Sequence, residues 1–274
     1  MGDGLKFSIV TCSFQQGRFL DATMRSVLDQ DVASLEYIVI DGGSKDGSVD
    51  IIQSHADRLA YWVSEKDRGQ THALNKGFEK ATGDVLGWLC SDDLLLPGTL
   101  KRVEAFFLAH PEVDFVYGNA LWIDEAGHYL RAKREMPWNG FVMVYDHNYL
   151  AQPACFWRRS LHERVKGLDE TWNLGMDADL WMRFARHTRP AFLDEYLACM
   201  RYYPEQKTRA LAVDARREGG KLRAREMPSL VNLPQAPLHW LARVVRVGSK
   251  LVHGGYATQP PQAVVAALES YYIR

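Results

Sequence analysis

The stretch Val85-Leu86-Gly87-Trp88-Leu89-Cys90, which runs directly into Ser91-Asp92-Asp93, decides the fold of this chain. A short apolar run bounded by polar residues is typical of a strand buried on both faces. Three similar runs precede it, at residues 7–12, 37–40 and 61–63. Segments with helical spacing separate them, and this alternation predicts an α/β domain with a mostly parallel, Rossmann-like sheet flanked by helices. Two of these predicted helices cover residues 19–30 and 71–81, and another begins at about residue 49.

Polar clusters follow three of these predicted strands at the point where each strand ends. They are Thr11–Ser13, Asp41–Ser44 and Ser91–Asp93. In open α/β sheets, ligands bind beyond the carboxyl ends of the strands. The sequence therefore predicts a ligand site at that edge of the sheet.

The second half of the chain is organised less regularly. Strands are predicted at residues 153–157 and 192–200, and a helix at 177–187. From about residue 210 the composition shifts to Arg and Lys, followed by helical segments flanked by proline. We therefore predict a catalytic domain at 1–212 and a C-terminal helical extension at 213–274.

Composition limits the class of protein. Of the 274 residues, 47% are hydrophobic and 24% are charged, which is typical of a globular domain. A net charge of −1 provides no basic field, so we expect no nucleic-acid partner. The four cysteines form no CxxC pair, and the chain shows neither a signal-peptide pattern nor an apolar run long enough to span a bilayer. We expect free thiols and a cytoplasmic location. The alternative within that compartment is attachment to the inner face of the membrane.

Three carboxylate positions each allow two interpretations when taken alone. Asp92 and Asp93 suit a divalent cation that bridges diphosphate oxygens, or a turn that caps the helix near Pro97. Asp41, followed by two glycines, suits a ligand pocket or a simple turn. Asp177 suits a general base or a helix cap.

Ten stretches in a fixed order carry a more specific signal than any one of them. They are residues 8–20, 26–30, 36–48, 67–70, 73–77, 81–84, 86–93, 152–159, 167–170 and 176–183. On these stretches, which extend over about residues 6–210, the sequence resembles glycosyltransferase family 2. That family consists of inverting nucleotide-sugar transferases with the GT-A fold.

The resemblance implies a role for each matching residue. One group would bind the nucleotide and the donor sugar, with Asp41 at the base: Thr11, Ser13, Asp41, Arg68, Gln70, Asn75 and Asp92. Asp93 would contact a divalent cation, Mn²⁺ or Mg²⁺, and Asp177 would be the general base. The acceptor side would be shaped by Gln152, Trp157 and Trp181.

These roles fit the chemistry of sugar transfer. The leaving group is a nucleoside diphosphate, most often UDP in the family, and a cation neutralises its developing charge. The acceptor is a hydroxyl of a glycan or of a lipid-linked molecule, and a positioned carboxylate removes its proton. One displacement at the anomeric carbon inverts the configuration, so no enzyme nucleophile is required.

Three residues depart from the pattern that the resemblance implies. Cys90 replaces an Asp, Met176 replaces a Glu before the base, and Tyr203 replaces a His. A thiol is a poor Mg²⁺ ligand, so metal choice or affinity is open. A catalytically degenerate nucleotide-sugar-binding scaffold is therefore an alternative. A nucleotidyltransferase is a further one, although its Gly-rich basic loop has no counterpart at residues 11–17.

The segment Trp240–Val252 mixes apolar and basic residues. Such a helix can lie on an anionic membrane surface, near a lipid-linked acceptor. It can equally pack against the catalytic domain with its charges in solvent. The sequence leaves both interpretations open.

Overall fold

The computed structural model of the chain describes residues 4–226, 235–256 and 259–269. Its sheet is ordered β3-β2-β1-β4-β8-β6-β9-β5, and β7 pairs with β6. The strands are β1 (Phe7–Ser13), β2 (Leu35–Asp41), β3 (Tyr61–Ser64), β4 (Val85–Trp88), β5 (Leu94–Leu95), β6 (Phe115–Ile123), β7 (Tyr129–Lys133), β8 (Cys155–Arg158) and β9 (Ala191–Arg201).

Most strands of the sheet run in one direction. Strands β1 to β4 pair in parallel. Strand β8 pairs antiparallel with both β4 and β6, so β6 and its parallel neighbour β9 run the same way as β1 to β4. Only β5, β7 and β8 run the opposite way among the described strands. The predicted mostly parallel α/β fold is therefore confirmed.

Helices cover both faces of this sheet. They are α1 (Gly17–Leu28), α2 (Ser48–Ser54), α3 (Gln70–Lys80), α4 (Thr99–Ala109), α5 (Gly140–Tyr145), α6 (Arg159–Arg164), α7 (Met176–Ala185), α8 (Lys207–Ala210), α9 (Ala212–Glu226), α10 (Gln235–Val252) and α11 (Gln262–Glu269). Short 3-10 turns occupy Ala56–Arg58 and Gln152–Ala154.

The alternating direction of the side chains of β1 explains why helices pack on both faces of this strand. Successive side chains of a strand point to opposite faces of the sheet. Phe7 and Ile9 belong to the buried cluster that includes residues of α1. Val10 and Cys12 belong to the other cluster, with residues of α3. Both faces are therefore buried, and only the strand ends remain available to a ligand.

Helix α9 begins at Ala212, at the predicted domain boundary, and it packs against the catalytic domain. Leu222 is buried in the same core as residues of α3 and α7. The Glu218 carboxylate accepts N–H groups of the loop before α7, with Leu174 N 2.8 Å and Gly175 N 3.0 Å away. Residues 227–234, 257–258 and 270–274 of the predicted extension lie outside the described ranges.

Candidate active site

A cavity of about 680 Å³ opens at the predicted edge of the sheet. This volume is within the usual range of small-molecule sites. Five segments supply its main walls: the end of β1, the loop into α3 with the start of that helix, the turn after β4, the loop into α7, and the segment from the end of β9 into α8. Its lining includes Cys12, Ser13, Gln70, Cys90, Asp92, Asp93, Gln152, Asn173, Asp177, Tyr203 and Lys207.

The turn after β4 fixes two neighbouring carboxylates at this cavity. Asp93 Oδ1 accepts the backbone N–H of Arg201 at 2.9 Å. Asp92 Oδ2 accepts the hydroxyl of Tyr203 at 2.7 Å. The Thr23 hydroxyl donates to the carbonyl of Asp93 at 2.8 Å, which holds the turn on α1. The segment at the end of β9 therefore positions both carboxylates, and α1 holds the backbone of the turn that carries them.

The surroundings of these carboxylates suit a divalent cation. Burial raises the pKa of Asp92, and burial together with the neighbouring charge of Asp92 raises that of Asp93 well above its usual range. A cation would relieve this repulsion. One ligand atom each from Cys90, Asp92 and Asp93 lie within 4.8 Å of one another. The Ser13 hydroxyl, in the same cavity, is buried without a hydrogen-bond partner.

Cys90 bonds both to Gln70, which was predicted to bind the sugar donor, and to Gln152, which was predicted on the side of the sugar acceptor. Its Sγ accepts from Gln70 Nε2 at 3.4 Å and donates to Gln152 Oε1 at 3.6 Å. Gln152 Nε2 in turn donates to the carbonyl of Trp88 at 2.9 Å. A hydrogen bond with Cys12 and burial raise the pKa of the Cys90 thiol. Without a metal, Cys90 therefore remains protonated at neutral pH.

Asp177 lies in the first turn of α7 and faces the cavity. Its Oδ1 accepts the Ala178 backbone N–H at 2.7 Å, and its Oδ2 accepts Asn148 Nδ2 at 2.8 Å. Burial raises the pKa of Asp177, which makes the carboxylate a stronger base. Asn148, which orients this carboxylate, was missed by sequence reasoning because it lies in an irregular loop without a motif.

Lys207 is a second functional candidate that sequence reasoning missed. Its Nζ donates to Gln70 Oε1 at 3.1 Å and to the Asn173 carbonyl at 2.7 Å, and neither partner is charged. Burial lowers the pKa of this ammonium group. A basic residue shortly after the last strand was the available signal. Its charge faces the same cavity as the carboxylate pair.

Thr11 and Asp41 lie behind the cavity wall. The Thr11 hydroxyl is buried and accepts from Tyr37 at 2.9 Å. Asp41 is also fully buried, and its carboxylate accepts the hydroxyls of Ser44 and Ser64, each at 2.6 Å. These bonds occupy the groups that were predicted to meet the nucleotide. Both residues lie behind the wall in this structure, and their contact with the nucleotide stays a prediction.

Arg68 and Asn75 also lie outside the cavity lining. Arg68 is exposed and forms an ion pair with Glu170 at 2.9 Å. Asn75 bonds both backbone groups of Leu168, donating at 2.9 Å and accepting at 3.0 Å. In this structure they join α3 and the loop before it to the segment around residue 168, and their contact with the donor stays a prediction.

Trp157 and Trp181 belong to an aromatic core. Both are fully buried, and their ring centroids are 5.4 Å apart. Trp181 also stacks on Trp88 at 5.8 Å, and of these three rings only that of Trp88 lines the cavity. Neither Trp157 nor Trp181 lines the cavity in this structure, and their place on the acceptor side stays a prediction.

Comparison with known proteins identifies the family. The family model "Glycosyl transferase family 2" matches residues 8–165, more than half of the chain. The chain belongs to glycosyltransferase family 2. A PGL/p-HBAD biosynthesis glycosyltransferase of Mycobacterium tuberculosis is 28% identical over 199 residues, which cover 70% of this chain and 73% of the relative. An uncharacterized Nostoc glycosyltransferase is 32% identical over 131 residues, covering 44% of this chain and 41% of the relative.

Solved structures show the same fold at low sequence identity. Staphylococcus aureus TarS 1–349 in complex with UDP-GlcNAc has a TM-score of 0.65 at 19% identity, covering 85% of this chain and 69% of that one. The mannosyltransferase PcManGT of Pyrobaculum calidifontis, in complex with GDP-Man and Mn²⁺, has a TM-score of 0.61 at 17% identity, covering 98% and 87%. This family 2 glycosyltransferase therefore has the predicted GT-A fold.

Proposed function

We propose that this glycosyltransferase moves a sugar from a nucleoside-diphosphate donor, with UDP as the first candidate, to an acceptor hydroxyl with inversion. The observation that carries the proposal is that one cavity holds both groups suited to a diphosphate and a group suited to deprotonate a hydroxyl. The carboxylates of Asp92 and Asp93 and the ammonium of Lys207 face the same space as the carboxylate of Asp177. The first set suits a diphosphate, and the second suits a hydroxyl.

The donor end of the cavity combines both signs of charge. Asp93, with Asp92 beside it, would hold the cation, and a bound Mn²⁺ or Mg²⁺ would neutralise the leaving diphosphate as a Lewis acid. Lys207 would donate to a diphosphate oxygen, because its present partners are neutral and exchange at little cost. Ser13 offers a buried hydroxyl without a partner in the same wall. We assign these residues to donor binding.

The acceptor end is built around the base. Asp177 would take the proton from the attacking hydroxyl, and Asn148 holds one of its oxygens in place. Because the second oxygen is bonded to the Ala178 N–H, the carboxylate is restricted in rotation. Proton removal during a single displacement at the anomeric carbon gives inversion. The acceptor class, a glycan or a lipid-linked molecule, is part of this proposal.

Relatives support the donor class and the cation. TarS has been crystallised with UDP and UDP-GlcNAc, and PcManGT with GDP-Man and Mn²⁺. We extend a nucleoside-diphosphate donor and a divalent cation to this chain on that basis. A role in polysaccharide biosynthesis, a cytoplasmic location and contact of the C-terminal region with a membrane are further parts of the proposal.

The donor proposal predicts metal-dependent stabilisation by one nucleotide among UDP, GDP, dTDP and CDP. A ligand at 100 times its Kd adds about 2.7 kcal/mol to the free energy of unfolding. For a protein of this size that is a rise in Tm of roughly 5–10 °C. Asp93→Ala should abolish the part of the shift that needs Mn²⁺. Thermal denaturation with and without Mn²⁺ measures both effects.

Asp31→Ala is the matched control for that experiment, because Asp31 is an exposed carboxylate on the surface. It should shift like the wild type. A folded wild-type protein that no nucleotide stabilises would contradict the donor proposal. Stabilisation by a nucleotide without sugar transfer would instead favour the degenerate scaffold, in which Tyr203 occupies an oxygen of Asp92.

Lys207→Gln should weaken nucleoside-diphosphate binding by about tenfold to a hundredfold, because a hydrogen bond to a charged group contributes about 1.5–3 kcal/mol. Lys207→Arg should retain most of the affinity, since it keeps the charge. Isothermal titration with the preferred nucleotide measures the change in Kd. The exposed Lys101→Gln serves as a control, and equal affinities of the Lys207→Gln and Lys101→Gln proteins would remove Lys207 from the donor site.

A further inference from the structure

Helix α10 presents an apolar face to solvent. Trp240, Val244, Val247 and Leu251 recur at intervals of three and four residues, so they lie on one side of the helix. Their exposed fractions are 68%, 46%, 36% and 66%. With a rise of 1.5 Å per residue, this stripe is about 16 Å long. We call these four residues the α10 stripe.

The opposite side of the helix faces the protein, where Val245 packs against the core and two basic side chains bond to the domain. Arg246 donates to the Asp146 carboxylate just beyond α5, and Lys250 Nζ donates to the carbonyl of Arg134 at 2.7 Å. Ala242, one turn before Arg246 on the same side, is fully buried. Charged groups therefore attach the helix to the domain, while the apolar groups of the stripe remain outside.

This arrangement reverses the usual surface helix, whose apolar stripe faces the core and whose charges face water. Contiguous exposed apolar residues on a soluble protein mark an interaction surface. The large exposed fractions of Trp240 and Leu251 show that no described part of the chain covers the two ends of the stripe. Among residues 4–226, 235–256 and 259–269, nothing supplies the apolar cover that these two ends of the stripe need.

The charge of α10 indicates which kind of partner covers the α10 stripe. Residues 235–256 contain no Asp or Glu. Arg246 and Lys250 bond to the domain, whereas Arg243 is exposed and lies beside the stripe. Apolar residues with a tryptophan, flanked by basic residues, suit the boundary between anionic headgroups and acyl chains. No described helix has the length and apolar character needed to cross a bilayer.

We propose that α10 lies in the plane of an anionic lipid surface, with the α10 stripe inserted among the acyl chains and Arg243 among the headgroups. The stripe would be buried by about 5–10 Å in such an arrangement. This assigns the membrane contact to one face of one helix and specifies the charge of the lipid.

The position of α10 connects this surface to the acceptor side of the site. Helix α10 packs on α5, and α5 packs on α7, which carries Asp177. Asn148, the partner of Asp177, follows α5 closely in the chain. The inference deepens the proposed function and rests on it only for the lipid-linked acceptor. Attachment to lipid is measurable without any donor.

Vesicle sedimentation of the full-length protein tests the inference. Vesicles of phosphatidylcholine with phosphatidylglycerol should bind the wild type, whereas phosphatidylcholine alone should bind it weakly, and salt should reduce binding. Leu251→Glu should lower vesicle binding by about tenfold or more, because it places a charge among acyl chains. Arg243→Gln should reduce the dependence on phosphatidylglycerol. Leu108→Glu, on α4 with an exposed fraction of 58%, is the matched control.

The outcomes distinguish this inference from the donor proposal. Leu251→Glu and Leu108→Glu should both unfold cooperatively near the Tm of the wild type without any ligand, which confirms that they fold. Equal vesicle binding by both variants, or no binding by the wild type, would overturn the inference. A wild-type dimer that Leu251→Glu dissociates, without any vesicle binding, would assign the stripe to a second copy of the chain and also overturn it.

Discussion

Replacing Asp177 with asparagine is expected to lower kcat by about 10²–10⁴-fold, the range that a positioned general base contributes. Asparagine keeps the size of the side chain and a hydrogen-bonding oxygen, but it does not accept the proton of the acceptor hydroxyl. The nucleotide-induced shift in Tm should persist, since the donor groups are elsewhere in the cavity. Initial rates of sugar transfer at saturating donor and acceptor measure the loss.

The matched control for this substitution is Asp31→Asn, on the exposed surface. It should leave kcat unchanged. A kcat of Asp177→Asn within a few-fold of the wild type would exclude Asp177 as the base. A loss of nucleotide binding together with kcat would instead place Asp177 in donor binding.

The pH profile of kcat follows from the surroundings of the same carboxylate. Burial raises the pKa of Asp177, and the hydrogen bond from Asn148 opposes that shift. The base is active when deprotonated, so kcat should fall as the pH drops through this raised pKa. Asn148→Ala removes the opposing bond, and the acidic limb of its profile should move to higher pH. A merely structural role of Asn148 would lower kcat without moving that limb.

Replacing Asp179 with alanine is expected to reduce the free energy of unfolding by about 3 kcal/mol, as for a buried ion pair that loses one partner. Asp179 is fully buried, with Arg183 Nη2 2.7 Å and Arg225 Nη1 2.6 Å from its carboxylate oxygens. The substitution leaves both guanidinium groups without their shared counter-ion. Urea denaturation of the wild type and the variant measures the difference.

An exposed ion pair provides the comparison for Asp179→Ala. Asp31 and Lys101 are 3.2 Å apart with exposed fractions of 87% and 67%. Asp31→Ala should therefore cost less than about 1 kcal/mol. If Asp179→Ala were as stable as Asp31→Ala, the network between α7 and α9 would not stabilise the fold.

The sequence predicts the first half of the fold well because its signals there are local. Apolar runs and helical spacing mark β1 to β4 and the helices between them, and the structure confirms these elements. Strand β5 is only two residues long, and the half-exposed strand β7 lacks an apolar run. Strand β5 pairs with β9, which is distant in sequence, so a local pattern does not predict that pairing.

Side-chain direction at the site is harder to predict than position. Asp41 lies at a strand end as predicted, but Ser44 and Ser64 turn its carboxylate away from the cavity. Trp181 lies next to the cavity segment in sequence, yet helical geometry directs it into the core. Lys207 reaches the cavity only because the segment after β9 folds back over it. Each case depends on long-range contacts that a motif does not contain.

The anchoring of α7 by α9 has a consequence for exchanging parts between relatives. The family match ends at residue 165, ahead of Asp177, and α9 contributes no group to the cavity. Glu218 and Arg225 of α9 nevertheless hold the start of α7 and its buried carboxylate. A chimera that joined the first 211 residues to a foreign tail would still be recognised as a family member. It would transfer sugar only if the new tail supplied a carboxylate and a guanidinium at those two places.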